Sequence, residues 1–181
     1  MKIIRYLTLT FFLITTLTVA YAQVKFGING GVVLSSLIRD SNLVAQDGTV
    51  GFLIGANAKY NMGELGWYIQ SGVDYTQEGD HNQNLSFVKV PLILGLDASD
   101  DVSLYVAYNF AWQVGNDNNV QDFYKETANI LGLGFEIHIP SHTSIGTRLN
   151  YGLSNLVDVA EDAKNFTVKP FTLDLYLAYR F

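Results

Sequence analysis

The chain has 181 residues, a net charge of −6 at pH 7 and no cysteine; 49% of its residues are hydrophobic and 15% are charged. Without cysteine it can carry neither a lipoprotein anchor nor a disulfide framework. Its net negative charge provides no basic surface that would bind the phosphate backbone of a nucleic acid, so no nucleic-acid partner is expected.

The first 22 residues are typical of a cleavable secretory signal peptide. Lys2 and Arg5 precede an uncharged, mostly apolar run over residues 6–19, and Ala20-Tyr21-Ala22 supplies the small-x-small cleavage pattern. An apolar run of about 14 residues is too short for a spanning helix, which needs roughly 20. We therefore expect one mature domain over residues 23–181, with a net charge of −8 once Lys2 and Arg5 are removed.

Hydrophobicity alternates with period two, most clearly at the end of the chain. From Phe171 to Phe181 every odd position is apolar, whereas the even positions include Asp174 and Arg180. Because side chains alternate faces along a strand, one face is apolar and the other polar. The same division recurs upstream in residues 24–32, 51–60, 67–75, 88–96, 102–113, 131–139 and 145–153. Eight segments of about ten residues suit strands that cross a bilayer at a tilt.

The connections between these segments alternate in length. Short turns are predicted near 61–65, 97–101 and 140–143, and longer loops near 34–49, 77–85, 115–127 and 155–168. Short periplasmic turns and longer outer loops are typical of outer-membrane barrels. We predict an all-β, eight-stranded antiparallel transmembrane up-and-down β-barrel in the bacterial outer membrane, closed by pairing of the first strand with a last strand that ends at Phe181.

Aromatic residues lie near the ends of the apolar faces, where they suit the two girdles at the membrane interfaces. They are Tyr60, Trp67, Tyr75, Trp112, Tyr151, Tyr179 and Phe181. A soluble lipocalin-type barrel would show the same period but would enclose its apolar face. Here the apolar face is bulky and the other mixes glycine with charges, and an eight-stranded interior has room only for side chains. This favours a barrel surrounded by outer-membrane lipid.

Several strand motifs resemble those of the PorT-like outer-membrane β-barrel family. They include Lys25-Phe26-Gly27-Ile28-Asn29-Gly30-Gly31, the segments 51–60 and 70–79, and Phe87-Val88-Lys89-Val90-Pro91-Leu92. The resemblance implies an integral barrel similar in shape to the small OmpA and OmpX domains. One member of that family takes part in protein secretion, so a component of a secretion or envelope assembly is an alternative role.

Because Pro91 lacks an N–H, we also expect irregular pairing within two residues of it.

The sequence offers little catalytic chemistry. His81 lies in the second predicted loop, where Ser71, Ser86 or Ser154 could approach it, so a lipid-modifying barrel enzyme is a less favoured alternative. His138 is predicted to face the lumen and bond other polar groups there, and His142 lies in a turn. No histidine spacing resembles a metal-ligand motif. We expect no enzymatic activity, no metal and no cofactor.

Parity places eight charged residues inside the barrel, namely Lys25, Lys59, Lys89, Arg148, Arg180, Asp74, Glu136 and Asp174. Eight strands leave too little bore for a porin-like channel, so a lumen filled by ion pairs is favoured over a pore. Cross-strand distances predict a Glu136–Arg148–Asp174 cluster, with Asp74 and Lys89 as a second pair nearer the outer side.

The ends of the barrel suggest two further roles. The predicted outer loops are acidic, with Asp40, Asp47, Glu78, Asp80, Asp117, Asp122, Glu126, Asp158, Glu161 and Asp162 against Arg39, Lys125 and Lys164. Loops often carry recognition on a rigid scaffold, so a structural or interaction role with an unknown partner is expected. Tyr179 and Phe181 resemble the C-terminal signal that the barrel-assembly machinery binds during insertion.

Overall fold

The computed structural model describes residues 24–39, 48–63, 65–80, 83–116, 127–140, 142–156 and 168–181. These residues form eight strands: β1 Val24–Arg39, β2 Thr49–Asn61, β3 Trp67–Asp80, β4 Gln83–Asp97, β5 Val102–Asn116, β6 Thr127–Ile139, β7 Thr143–Gly152 and β8 Val168–Arg180. The predicted signal peptide lies outside the described residues.

The strands close into a single antiparallel barrel. Each strand pairs with its neighbours in chain order, and β1 pairs with β8 from Gly27–Arg180 to Arg39–Val168. Closure leaves no open sheet edge, whose backbone groups would lack partners in lipid. The predicted fold class is confirmed. The final strand, however, ends at Arg180, and Phe181 adds one hydrogen bond from its N–H to the Phe26 carbonyl at 2.8 Å.

The apolar face points outward and the polar face inward. Side chains such as Ile54, Leu133 and Leu177 are more than half exposed, whereas Asp174 and Lys89 are almost fully buried. Trp67, Trp112 and Tyr179 are among the outward aromatic residues near the strand ends. A surface of this composition suits lipid outside and a packed polar lumen inside. Over the described ranges, no helix has the length and apolarity to cross a membrane.

The strands are longer than predicted at the outer side. β3 continues to Asp80 and β4 begins at Gln83, so the long loop predicted over 77–85 is wrong. Glu78 pairs with Leu85 across these two strands, and both side chains are buried. The strands continue because the inward positions beyond the bilayer band still find partners inside the barrel.

Pro91 disturbs one of its two ladders. The pairing of β4 with β3 is interrupted between Ser71–Leu92 and Asp74–Lys89, which confirms the irregularity expected there. The pairing with β5 runs regularly through Pro91–Asn109 and has its bulge further on, between Ser86 and Phe87. The missing N–H therefore affects only one neighbouring strand.

Inward-facing glycines leave space for the large aromatic rings of the lumen. Tyr68, Tyr105 and Tyr176 lie directly across from glycines on neighbouring strands, in the pairs Tyr68–Gly95, Tyr105–Gly134 and Tyr176–Gly146. A Cβ atom at any of these three glycines would collide with the facing tyrosine ring. The inward glycines therefore provide the room that the tyrosines need.

Candidate functional site in the barrel lumen

Arg148 on β7 holds together the middle of the lumen. Its Nε donates to Asp174 Oδ2 at 3.0 Å, and its Nη2 donates to Asp74 Oδ2 at 3.1 Å. Asp174 is the cross-strand neighbour of Arg148, whereas Asp74 lies on β3, across the bore. The planar guanidinium thus joins two opposite walls of the barrel.

The two carboxylates of this cluster have further partners. Asn29 Nδ2 donates to Asp74 Oδ1 at 3.1 Å. Asn150 Nδ2 donates to Asp174 Oδ2 at 2.8 Å, and Thr172 Oγ1 donates to Asp174 Oδ1 at 3.2 Å. The cavity at this level measures about 10 Å³. Such a space holds about one water molecule at most, so the lumen is filled here.

The outer side of the lumen is closed by one ion pair and an apolar cluster. Lys89 binds Glu78, and both side chains are 2% exposed. At the same end, inward apolar side chains form a cluster, in which Leu85 pairs with Glu78 and Ala111 with Lys89 across neighbouring strands: Leu37, Leu85, Phe87, Ala111, Ala128, Ile130, Leu156 and Val168. These residues come from strands β1, β4, β5, β6 and β8 and from the segment after β7. They exclude water from the outer end.

A second polar layer lies on the periplasmic side of Arg148. Arg180 Nη2 donates to Glu136 Oε2 at 2.5 Å, and Tyr176 Oη donates to Glu136 Oε1 at 3.0 Å. The hydroxyls of Tyr105 and Tyr176 lie 2.7 Å apart. Glu136 is therefore bonded at both oxygens, which offsets the cost of burying its charge.

The periplasmic mouth contains a chain of hydrogen bonds from Lys59 to His138. Lys59 Nζ lies 2.8 Å from Asp97 Oδ1, which accepts from Ser103 Oγ at 2.5 Å. His138 lies between two hydroxyls: its Nε2 is 2.6 Å from Ser103 Oγ and its Nδ1 is 2.9 Å from Ser144 Oγ. The chain borders a cavity of about 720 Å³, which we call the vestibule.

The structure places all five predicted network residues in the lumen but pairs them differently. Arg148 and Asp174 are brought together as expected. Glu136 binds Arg180 instead of Arg148, so the predicted three-residue cluster is wrong in that member. Asp74 and Lys89 are cross-strand partners in register, yet Asp74 binds Arg148 and Lys89 binds Glu78.

The physical reason for these corrections is the narrow bore. Cross-strand reasoning considers only adjacent strands, whereas long side chains in an eight-stranded barrel reach across the lumen. Arg148 crosses to Asp74 in this way, which leaves Lys89 to bind Glu78. Glu78 lies in the segment predicted to be a loop, 77–85, although its position on the inward parity of β3 is visible in the sequence.

The hydroxyls beside His138 do not form an ordinary nucleophile–base–acid arrangement. Asp97 binds Ser103 rather than the second nitrogen of His138, and Ser103 is fully buried. Ser144 Oγ contacts both His138 and the Arg180 guanidinium. His81, the histidine considered for catalysis, lies outside the described residues. No cluster of three or more potential metal ligands occurs in the part of the chain that the structure describes.

Comparison with known proteins identifies the family of this barrel. The model of the outer membrane protein β-barrel domain matches residues 7–181. The chain belongs to this family. It is an integral β-barrel protein of the bacterial outer membrane, with the apolar face in lipid. In outer-membrane barrels the short turns mark the periplasmic end.

Solved structures of the same shape support the fold of this family member. Neisserial surface protein A is 16% identical, with a TM-score of 0.58, over 86% of this chain and 97% of that one. Ail, the attachment invasion locus protein of Yersinia pestis, is 18% identical, with a TM-score of 0.52, over 88% and 99%. At these identities the likeness shows the barrel fold. No curated protein has a matching sequence. The narrower PorT-like resemblance stays a prediction.

Proposed function

We propose that this protein is a closed, non-catalytic outer-membrane barrel with a structural or recognition role. The observation that carries the proposal is the filled lumen. The Arg148 layer leaves a cavity of only about 10 Å³, and the apolar cluster around Phe87 occupies the outer end. A solute would have to separate buried ion pairs to pass, which is costly.

In this proposal, the outer loops bind the partner. Of their predicted acidic residues, Asp80 is the last residue of β3, and eight lie outside the described residues: Asp40, Asp47, Asp117, Asp122, Glu126, Asp158, Glu161 and Asp162. Glu78 is removed from this set because its carboxylate faces the lumen. A concentration of carboxylates would attract a basic partner or divalent cations bridged to lipopolysaccharide.

Planar-bilayer recording tests the closed lumen directly. The purified, refolded barrel should give no discrete conductance steps under conditions in which a general porin gives them. Regular steps from the wild-type protein would contradict the proposal.

Chemical cross-linking on intact cells tests the loops, by comparing the wild type with a variant carrying Asp158→Asn, Glu161→Gln and Asp162→Asn. Loss of cross-linked partners in the variant is expected; a stoichiometric partner retained by both would favour the alternative role in an envelope assembly.

We further propose that Tyr179 and Phe181 form the insertion signal recognised by the barrel-assembly machinery. Both rings lie outside the barrel, and their centroids are 5.4 Å apart in an edge-on arrangement. Deleting Phe181 should lower the outer-membrane level of the protein several-fold, measured by quantitative blotting of membrane fractions. Val114→Ala, which removes another exposed apolar side chain, is the control. Equal levels of the truncated and control proteins would refute this role.

A further inference from the structure

A groove of about 460 Å³ crosses the outer surface of β3, β4, β5 and β6. Trp67 begins β3, Leu96 is the second-last residue of β4, and Leu104 is the third residue of β5, so the groove lies beside the short turns. Among the described residues, no charged side chain borders it. Because the short turns mark the periplasmic end of such barrels, the groove faces the acyl chains of the periplasmic leaflet.

Two rows of outward side chains form the walls of this groove. Each row consists of cross-strand partners: Trp67, Leu96 and Leu104 nearer the turns, and Leu94, Val106 and Leu133 beyond them. The floor is the main chain at Gly95, Tyr105 and Gly134, since these three positions face the lumen. Strands of outer-membrane barrels tilt by about 35–45°, so a groove that crosses them runs obliquely through the leaflet. Its shape therefore suits one extended apolar chain.

Packing alone does not select the molecule that fills the groove. Lipid tails are as apolar as leucine, so an acyl chain gains van der Waals contacts here but no hydrophobic driving force. Selection must therefore come from polar groups at the end of the chain. The headgroup of a lipid seated in the groove lies level with the turn between β4 and β5, because that turn joins Leu96 to Leu104.

The turn between β4 and β5 is acidic. Asp100 and Asp101 are exposed there, and neither forms a salt bridge with a residue that the structure describes. Asp97, the third carboxylate of the turn, is already bound to Lys59. The described lysine and arginine residues of this end lie on other strands, namely β1, β2 and β8. A headgroup beside this turn thus meets carboxylates that lack a cationic partner among the described residues.

We propose that the groove binds one phospholipid of the periplasmic leaflet and selects a primary-ammonium headgroup, as in phosphatidylethanolamine. One acyl chain packs between the two rows, and the ammonium group donates charge-assisted hydrogen bonds to Asp100 or Asp101. A choline headgroup carries the same charge but has no N–H to donate. A glycerol headgroup leaves the negative charge of its phosphate beside the two carboxylates. This inference goes beyond the proposed structural role and does not depend on the outer loops.

Native mass spectrometry of the full-length mature barrel tests the lipid specificity. The barrel is folded in a neutral detergent and titrated separately with phosphatidylethanolamine, phosphatidylcholine and phosphatidylglycerol. One retained molecule of phosphatidylethanolamine is expected, with an affinity about tenfold higher than for the other two lipids, the scale of one hydrogen bond to a charged group.

Two variants separate the groove from the headgroup site. Val106→Trp fills the groove and should weaken retention of phosphatidylethanolamine about tenfold, the scale set by lost packing contacts. Val32→Trp on β1 is the matched control, because Val32 and Val106 are both 45% exposed on the outer face. Asp100→Asn with Asp101→Asn should lower the affinity for phosphatidylethanolamine to that for phosphatidylcholine. Asp80→Asn with Asp117→Asn, at the other ends of β3 and β5, should keep the preference.

Three outcomes would overturn the proposal. The wild type would bind phosphatidylethanolamine and phosphatidylcholine equally, Val106→Trp would retain as much lipid as Val32→Trp, or the Asp100 and Asp101 variant would keep the preference. A lipid-free dimer that Val106→Trp dissociates and Val32→Trp does not would instead assign the groove to a second copy of the chain. Unchanged electrophoretic mobility of the folded form shows that each variant has folded. Because bilayer conductance is measured independently, failure of this site leaves the closed-lumen proposal standing.

Discussion

The inner part of the lumen and the periplasmic vestibule contain the same kinds of side chain but satisfy them differently. Around Arg148, both carboxylates have two or more partners, and the remaining cavity is about 10 Å³. Around Arg180, one guanidinium nitrogen lacks an acceptor, and the cavity reaches about 720 Å³. The charged groups of both layers are paired, so the comparison teaches that the layers differ in enclosure: the inner layer leaves almost no free space, whereas the mouth leaves room for water.

The largest difference should appear when the two arginines are removed separately. Arg148→Ala leaves Asp74 and Asp174 buried without their cation and should lower the free energy of unfolding by about 3–5 kcal/mol. Arg180→Ala should cost less, because its site borders the vestibule, where water can replace part of the lost contacts. Urea unfolding of the barrel in lipid vesicles measures both effects.

A triple variant provides the control for Arg148. Arg148→Met combined with Asp74→Asn and Asp174→Asn removes the buried charges together and should restore more than half of the lost stability. If Arg148→Ala and Arg180→Ala cost the same, or if the triple variant is as unstable as Arg148→Ala, enclosure does not distinguish the two layers.

A substitution in the outer apolar cluster should have the next largest effect on the free energy of unfolding. Phe87→Ala leaves a cavity among Leu37, Leu85 and Ile130 and should cost about 3 kcal/mol in the same unfolding assay. Conductance should still be absent, since the Lys89–Glu78 pair and the Arg148 layer still fill the bore. Phe87→Leu, which keeps most of the volume, is the matched control. Discrete channels in Phe87→Ala would locate the seal in this cluster rather than in the ion pairs.

The smallest effect is expected at the periplasmic mouth. Ser103→Ala removes the hydroxyl that joins Asp97 to His138 and should cost about 1–2 kcal/mol, because Asp97 keeps its bond to Lys59. Ser99→Ala, in the exposed turn nearby, should change stability by less than about 0.5 kcal/mol. A loss at Ser103 as large as that at Arg148 would mean that the mouth is as tightly coupled as the inner lumen.

Much of the architecture could be predicted from the sequence because strand parity is a local property. The alternation from Phe171 to Arg180 indicates which side chains face lipid, and eight such segments indicate a barrel whose inward charges must pair. The ion pair between Arg148 and Asp174 could be predicted because the two residues lie on neighbouring strands. The two-residue alternation of β3 also continues through Glu78, although the polar composition of residues 77–85 predicts a loop there.

The amino-acid sequence by itself therefore determined the period, the number of strands, the lipid-facing surface and the set of charges inside. Only the tertiary structure decided which charges pair, because closure of eight strands brings opposite walls within reach of one side chain. Arg148 binds Asp74 from across the bore, and this contact redirects Lys89 to Glu78. It also decided that Glu136 binds Arg180 rather than Arg148, since these contacts depend on how the strands meet near the mouth.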